Sequence, residues 1–229
     1  MKGAETSPHE SSRYQRKALP RSLVRRALRI QQKKLYRRFA EHFPPSPALR
    51  VLDVGVNAAL TDPRDYFFQY YYPYEERIVA CGLEPSAPLT SLFPRAKYVQ
   101  TFRDQPLPFD DQAFDVVFCN AVIEHVGSRR EQVKFLADLL RVGKGAFVTT
   151  PNRWYPIEFH TMTPFLHYLP APMSRQIYRS LGFDFFAEEA NLNLLDSRAL
   201  TRMVPSGRSG TLESESFLGL PSNLLLIVR

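Results

Sequence analysis

The sequence predicts an α/β fold in which helices cover both faces of a mostly parallel sheet. The apolar residues of 51–54 form a short run that stops at Gly55, as a buried parallel strand does where it brings the chain to a ligand. Asp53 and Glu84 close two successive predicted strands, and a third apolar run follows at 114–119. A carboxylate accepts hydrogen bonds from both hydroxyls of a ribose, and a glycine lets the backbone approach a ligand closely. Asp53, Gly55 and Glu84 therefore predict a nucleoside-cofactor site at the carboxyl edge of the sheet.

The N-terminal segment differs in composition from the rest of the chain. Residues 1–45 contain 12 of the 30 basic residues and 3 of the 23 acidic residues, so the remainder carries a net charge of −2 although the whole chain carries +7. Residues 1–20 have no hydrophobic periodicity and are predicted to be disordered. We therefore divide the chain into a tail with a basic helix, residues 1–45, and one domain large enough to be an enzyme, residues 46–229.

A basic amphipathic helix is predicted at residues 22–42, ended by the prolines that follow. Three interpretations of it remain open. In the first, its apolar stripe covers the domain and its basic face is solvated. In the second, the helix makes peripheral contact with an anionic membrane surface. In the third and weakest, it binds nucleic acid, although no aromatic residues interleave the charges. The stripe consists of Val24, Ala27, Leu28, Leu35 and Phe39.

The other elements follow from periodicity and from turn residues. A helix rich in aromatic residues at 63–72 stops at Pro73, and an amphipathic helix at 131–142 returns the chain across the sheet. A short helix at 197–203 is capped by Asp196 or Ser197. Further strands are predicted at residues 77–83, 96–101, 145–150, 211–217 and 223–228.

The composition and the missing motifs exclude several classes of protein. No apolar run reaches the roughly 18 to 20 residues of a membrane span, and the N-terminus lacks the apolar core of a secretion signal, so we expect a cytoplasmic protein. Cys81 and Cys119 fall inside predicted strands and have no metal-ligand spacing, so we expect neither disulfides nor a metal. The sequence also lacks a phosphate-binding P-loop and a serine-hydrolase elbow.

Three stretches carry a resemblance to a known family: Arg50-Val-Leu-Asp-Val-Gly-Val-Asn57, Phe114-Asp-Val-Val117 and Ile123-Glu-His-Val126. They resemble the class I S-adenosylmethionine-dependent methyltransferases, in particular the small bacterial type, over about residues 50–152. The resemblance implies a Rossmann-like sheet of seven strands whose last two strands form an antiparallel pair. It also implies S-adenosylmethionine as the cofactor.

The resemblance implies further cofactor-binding residues. Asn120 and Ala121 stand where related enzymes line the cofactor cleft. Asp104 stands in a segment similar to the family's Asp-x-x-x-Leu-Pro-Phe, which meets the adenine, although it lies one residue closer to the leucine than in the family pattern. Asn57 opens a loop that carries glycines in the family, so the methionine end of the cofactor is expected to meet side chains there as well as backbone.

Methyl transfer from a sulfonium is a direct displacement, which requires alignment and exclusion of water more than catalytic groups. If the acceptor is a hydroxyl, a base assists. His160 is the best-placed candidate and Glu158 a weaker one, both within a substrate or lid segment at residues 153–195. A structural role for His160 is an equal alternative, and His125 is interpreted as a structural or cleft-edge residue.

The first functional hypothesis is an O-methyltransferase acting on a small molecule or on a glycan or lipid-linked acceptor. The second is an inactive methyltransferase-like scaffold, suggested by the missing glycines after Gly55. The third, an RNA methyltransferase, is disfavoured by the net charge of −2 outside the N-terminal segment, and we expect no nucleic-acid partner.

Overall fold

The computed structural model describes residues 21–57, 60, 62–85 and 87–229, and they contain one seven-stranded sheet. Its order is β3-β2-β1-β4-β5-β7-β6; the first five strands run parallel, and β7 runs antiparallel to both β5 and β6. The predicted Rossmann-like sheet with an antiparallel last pair is confirmed. The strands are β1 (Val51–Val54), β2 (Ile78–Gly82), β3 (Lys97–Gln100), β4 (Phe114–Asn120), β5 (Gly143–Pro151), β6 (Gly210–Phe217) and β7 (Leu220–Val228).

Helices pack on both faces of the sheet, as predicted. Leu136 of α4 and Leu200 of α7 are buried against one face, whereas Phe39 of α1, Phe68 of α2 and Leu89 of α3 are buried against the other. The helices are α1 (Arg21–His42), α2 (Phe67–Tyr71), α3 (Ala87–Leu92), α4 (Arg129–Val142), α5 (Ala171–Ser180), α6 (Asp184–Ala187) and α7 (Ser197–Arg202). The carboxyl ends of the parallel strands remain free to form a site.

Two local elements differ from the prediction. The helix expected at residues 63–72 is a 3₁₀ turn, Pro63–Asp65, followed by α2, because Tyr66 adopts φ −88° and ψ 60° and interrupts the helical path. Residues 220–222, expected in a connection, belong to β7. The turn before them is tighter than predicted because Leu218 and Gly219 both have positive φ, 52° and 80°, which suits a two-residue hairpin.

The N-terminal helix α1 is packed into the domain. Phe39 is fully buried, and its ring meets those of Phe118 in β4 and Phe147 in β5 edge to face at 5.5 and 5.6 Å. Leu35 is buried beside it, whereas Leu28 of the predicted stripe is 51% exposed. The apolar stripe therefore anchors to the sheet through the C-terminal half of the helix.

Several basic residues of α1 pair with acids of the domain. Arg29 lies 3.2 Å from Asp62, and Lys34 lies 3.3 Å from Glu215. Arg38 pairs with Glu213. The predicted disorder of residues 1–20 and the side chain of Val24 fall outside what the structure describes.

Among the described residues, no helix combines the length and the apolar character needed to cross a membrane.

The burial of Phe39 predicts that α1 contributes to the stability of the whole domain. Phe39→Ala removes a fully buried ring and should lower the free energy of unfolding by about 3 to 5 kcal/mol in urea denaturation. Leu28→Ala, on the exposed part of the same helix, is the matched control and should change it by less than about 0.5 kcal/mol. Equal effects of the two substitutions would show that α1 is not part of the core.

Candidate functional site

Two glycines bring the exits of β1 and β2 close together. Gly55 follows β1 with φ +87°, and a Cβ at this position would lie 2.2 Å from Cγ2 of Val122. Gly82 ends β2, where a Cβ would lie 2.1 Å from the carbonyl oxygen of Val56. The backbone N–H of Gly55 also donates to the carbonyl of Cys81 at 2.8 Å. The exits of β1 and β2 therefore pack this closely only because both positions lack a side chain, since Val122 and the Val56 carbonyl fill the space that a Cβ would take.

Asp53 lies within β1 and not at its exit, and it is only 6% exposed. Its Oδ2 accepts a hydrogen bond from Nε2 of Gln69 in α2 at 2.5 Å. Burial raises the pKa of the Asp53 carboxyl to about 7, against the opposing effect of this hydrogen bond. Asp53 is therefore a buried acid that links β1 to α2 through Gln69, just before the strand ends.

Glu84 lies two residues beyond β2 and is half-buried. Its carbonyl accepts a hydrogen bond from the hydroxyl of Tyr98 in β3 at 2.6 Å, and the neighbouring carbonyl of Leu83 accepts one from Gln100 at 2.9 Å. Two side chains from β3 thus fix the backbone that presents Glu84 at the edge of the sheet.

The other two predicted loop residues are exposed. Asn57 lies on the surface beyond Gly55, and residues 58, 59 and 61 of the same loop fall outside the described structure. Asp104 is exposed in the turn after β3 and has φ +63°, a conformation that aspartate tolerates better than most residues.

Asn120 and Ala121 lie at the exit of β4, where they are tied to β5. Oδ1 of Asn120 accepts a hydrogen bond from the Thr149 hydroxyl at 2.6 Å, and the N–H of Ala121 donates to the Thr149 carbonyl at 2.9 Å. Ala121 has φ +54°, which is strained for a residue with a Cβ. This turn directs the chain from β4 into the 3₁₀ turn Ile123–His125.

The Glu158–His160 pair is the most tightly connected acid–base pair of the site. Oε1 of the buried Glu158 accepts hydrogen bonds from Nδ1 of His160 at 2.6 Å and from its backbone N–H at 3.0 Å. Oε2 accepts from the backbone N–H and the hydroxyl of Thr161, at 2.6 and 2.7 Å. All of these bonds hold Glu158 within its own loop.

Burial alone would raise the pKa of Glu158, but the adjacent His160 charge and the hydrogen bonds outweigh burial and lower that pKa to about 2. Burial would likewise lower the pKa of His160, and the negative charge of Glu158 outweighs it, so the pKa of His160 lies above its ordinary value. The Glu158 carboxylate thus occupies Nδ1 of His160, and Nε2 lies on the edge of the ring directed away from Glu158.

The structure adds Glu124 and His125 to the site, two residues to which the sequence assigned no chemistry. The rings of His125 and His160 meet edge to face, with centroids 4.7 Å apart. Burial lowers the pKa of His125, and its Nδ1 lies 2.6 Å from the carbonyl of Asn191. One potential ligand atom from each of Glu124, His125 and His160 lies within 4.8 Å of the other two.

Only one signal in the sequence could have indicated this cluster. His125 follows β4 and His160 follows β5, and neighbouring parallel strands end at the same edge of a sheet. The two histidines are 35 positions apart, which matches no ligand spacing.

The predicted substrate segment, residues 153–195, forms a small lobe with its own apolar cluster. The ring of Phe186 lies 5.5 Å from that of His160, which belongs to the same segment, so the apolar cluster borders the site. Trp154 is 51% exposed, with the Arg153 guanidinium 5.6 Å from its ring centre. The buried members of the cluster are Tyr178, Phe183, Phe186, Ala187, Leu192 and Leu194.

Comparison with known proteins identifies the same fold in several solved structures. A family model described as a methyltransferase domain matches residues 13–204. The PH0226 protein from Pyrococcus horikoshii has a TM-score of 0.58 at 12% identity, with 88% of this chain and 90% of that chain covered. A SAM-dependent methyltransferase from Aquifex aeolicus has a TM-score of 0.54 at 11% identity, with 98% of each chain covered.

Magnesium protoporphyrin IX methyltransferase from Synechocystis, solved with bound SAH, has a TM-score of 0.54 at 12% identity and covers 96% of this chain and 94% of its own. A search of curated proteins finds no match to the chain. The structural likenesses, all below 25% identity, establish the fold.

The close contact at Gly55 predicts that a side chain there lowers the free energy of unfolding by more than backbone strain alone would. Gly55→Ala should lower the free energy of unfolding by more than the roughly 1 to 3 kcal/mol expected for an unfavourable φ, because the new Cβ meets Val122. Gly182→Ala is the control, since Gly182 has a similar φ of +78° with no atom within 4 Å of the added Cβ. Urea denaturation of both variants measures the difference, and equal losses would contradict the close contact.

The raised pKa of Asp53 predicts a pH-dependent gain in stability for Asp53→Asn. The folded pKa of about 7 exceeds the ordinary aspartate value of about 4, so the wild type loses stability as pH rises from about 4 to 7. Asparagine does not titrate, so the stability of the variant relative to wild type should increase across that window by about 1 kcal/mol per pH unit and level off above it. Thermal unfolding of both proteins at several pH values tests this, and a constant difference would show that Asp53 is not buried as described.

Proposed function

Because this chain belongs to the methyltransferase-domain family, we propose that it transfers a methyl group from S-adenosylmethionine to a hydroxyl oxygen of a small molecule or of a glycan or lipid-linked acceptor. The observation that carries the proposal is the convergence of Gly55, Gly82 and Glu84 at the carboxyl ends of the adjacent strands β1 and β2. Two glycine-containing strand exits beside a carboxylate on a fixed backbone have the composition that a nucleoside cofactor requires.

In this proposal the cofactor lies across the exits of β1, β2 and β4. Glu84 accepts hydrogen bonds from the ribose hydroxyls, and the methionine portion lies along the backbone of the loop that begins at Gly55, with Asn57 at its margin. Asn120 and Ala121 line the cleft at the β4 exit, and Asp104 approaches the adenine from the turn after β3. Asp53 and its partner Gln69 support the β1 exit from inside the sheet.

The bound cofactor supplies an electrophilic methyl group, and the residues of the chain align the acceptor with it. The acceptor oxygen forms a bond to the methyl carbon while the carbon–sulfur bond breaks, and the electron pair of the broken bond stays on sulfur. His160 is the candidate to receive the hydroxyl proton at Nε2, because its Nδ1 is occupied by Glu158. Glu158 serves in this scheme as a positioning residue, since its hydrogen bonds are used within its own loop.

The surface around the site supports an acceptor with apolar character. Three large apolar side chains of the 153–195 lobe are 38 to 57% exposed and so do not pack inside it: Trp154, Ile157 and Phe165. On α1, Lys33 and Arg37 remain on the exposed side. An apolar lobe together with a basic helix suits an acceptor that is lipid-linked and anionic, presented at a membrane surface.

The cofactor proposal is tested by calorimetric titration with S-adenosylmethionine and S-adenosylhomocysteine. The wild type should bind at about micromolar concentration, near −8 kcal/mol. Glu84→Ala should weaken binding by about 10- to 100-fold, because it removes charge-assisted hydrogen bonds to the ribose. Glu76→Ala, which removes an exposed acid paired with Arg95, is the control and should bind like the wild type.

Absence of binding by the wild type would overturn the enzyme proposal and favour the scaffold hypothesis. Binding that is indifferent to Glu84 would retain the cofactor but remove Glu84 from its site.

A further inference from the structure

We propose that Glu124, His125 and His160 bind a divalent transition-metal ion at the edge formed by the exits of β4 and β5. One ligand atom from each residue lies within 4.8 Å of the other two. Glu124 and His125 belong to the 3₁₀ turn after β4, and His160 belongs to the loop after β5. Nothing in this inference depends on the cofactor site, since none of the three residues is a proposed cofactor ligand.

The two histidines are oriented as metal ligands are. Nδ1 of His160 is bonded to the Glu158 carboxylate at 2.6 Å, and Nδ1 of His125 lies 2.6 Å from the carbonyl of Asn191. In metal sites, a ligating histidine almost always donates its second ring N–H to a carboxylate or a backbone carbonyl, which fixes the tautomer and the orientation of the ring. The structure contains one partner of each kind, and both leave Nε2 as the available nitrogen.

Glu124 provides the second, independent observation. It is fully buried, and Oε2 accepts a hydrogen bond from the Thr150 hydroxyl at 2.9 Å. Oε1 is also buried and has no hydrogen-bond partner among the described residues, and Nε2 of His125 lies 3.9 Å from it. A buried carboxylate oxygen without a partner is costly. A metal ion between this oxygen and the two imidazoles would satisfy it.

The separations require only a small contraction. Two ligand atoms on one ion, each about 2.1 Å from it, cannot lie more than about 4.2 Å apart. The widest separation of 4.8 Å must therefore close by about 0.6 Å on binding. Small changes in the side-chain torsions of Glu124 and His125 can supply this contraction, while the hydrogen bonds of His160 and Thr161 to Glu158 hold the His160 loop in place.

The donor set selects the class of metal. Two imidazoles and one carboxylate suit zinc, cobalt or iron, whereas magnesium and calcium prefer oxygen ligands alone. Three protein ligands also leave at least one coordination position open, as in catalytic and not in structural zinc sites. The position left open would accept water or an oxygen of an acceptor.

Metal binding and proton acceptance at His160 exclude each other. Nε2 carries one lone pair, which either binds the ion or takes a proton from the acceptor. If the ion is bound, it lowers the pKa of an oxygen coordinated to it, and the hydroxyl proton passes to solvent and not to His160. The metal site would thus replace the base assigned above without changing the methyl donor.

The test is a titration of the full chain, freed of metal by a chelator, with Co²⁺ in the absence of S-adenosylmethionine. The d–d absorption of Co²⁺ should saturate at one ion per chain, and Zn²⁺ should abolish that absorption at the same stoichiometry. His125→Gln and His160→Gln should each weaken binding by more than about 100-fold, and Glu158→Gln by about 10- to 100-fold. His42→Gln, which alters a histidine outside the cluster, is the control and should bind like the wild type.

The wild-type titration decides the proposal even if a variant fails to fold, which circular dichroism would reveal. Failure of the wild type to bind one Co²⁺ per chain saturably would overturn the proposal. So would binding that the His125 and His160 substitutions leave unchanged in folded protein. A negative result here would leave the calorimetric test of the cofactor site unaffected, and the reverse also holds.

Discussion

The structure depends on the position of β1 between two parallel neighbours. Asp53 is in register with Ala80 of β2 on one side and with Phe118 of β4 on the other, so three strand exits lie side by side. The exits can approach closely only because Gly55 leaves room for Val122, which directly precedes the turn carrying Glu124 and His125. The proposed cofactor loop and the turn that carries two of the proposed metal ligands are therefore neighbours at Gly55 and Val122.

Three buried acids near this edge meet the cost of desolvation in three different ways. Asp53 reduces it by protonation, since burial raises its pKa to about 7. Glu158 remains charged, with a pKa of about 2, because His160 and Thr161 surround it with donors. Glu124 has the Thr150 hydroxyl for one oxygen and no partner among the described residues for the other. This incomplete compensation distinguishes Glu124 from an ordinary core residue.

Local patterns in the sequence predicted most of the fold but only part of the candidate site. The strands, α4 and α7 were predictable because apolar periodicity and caps such as Asp196, which accepts a hydrogen bond from Ala199, act over a few residues. The positions of Gly55 and Glu84 at strand exits were predictable because Gly55 directly follows β1 and Glu84 lies two residues beyond β2. The break at Tyr66 was not, since it depends on a single backbone conformation inside an aromatic run. The approach of His160 to His125 was not predictable either, because irregular loops and tertiary packing bring together residues with no spacing signal, and for this reason the sequence led us to expect no metal.

The packing of α1 also affects the order in which the chain can fold during synthesis. Phe39 leaves the ribosome long before its partners Phe118 and Phe147, and Gln31, bonded to Asn223 at 3.1 Å, precedes its partner by 192 residues. Contacts so distant in sequence form late, and an apolar face that waits for them stays exposed in the nascent chain. Helix α1 is therefore made before every strand of the sheet and is among the last of these elements to dock. The growing polypeptide must keep this aromatic surface from aggregating until most of the sheet has been translated.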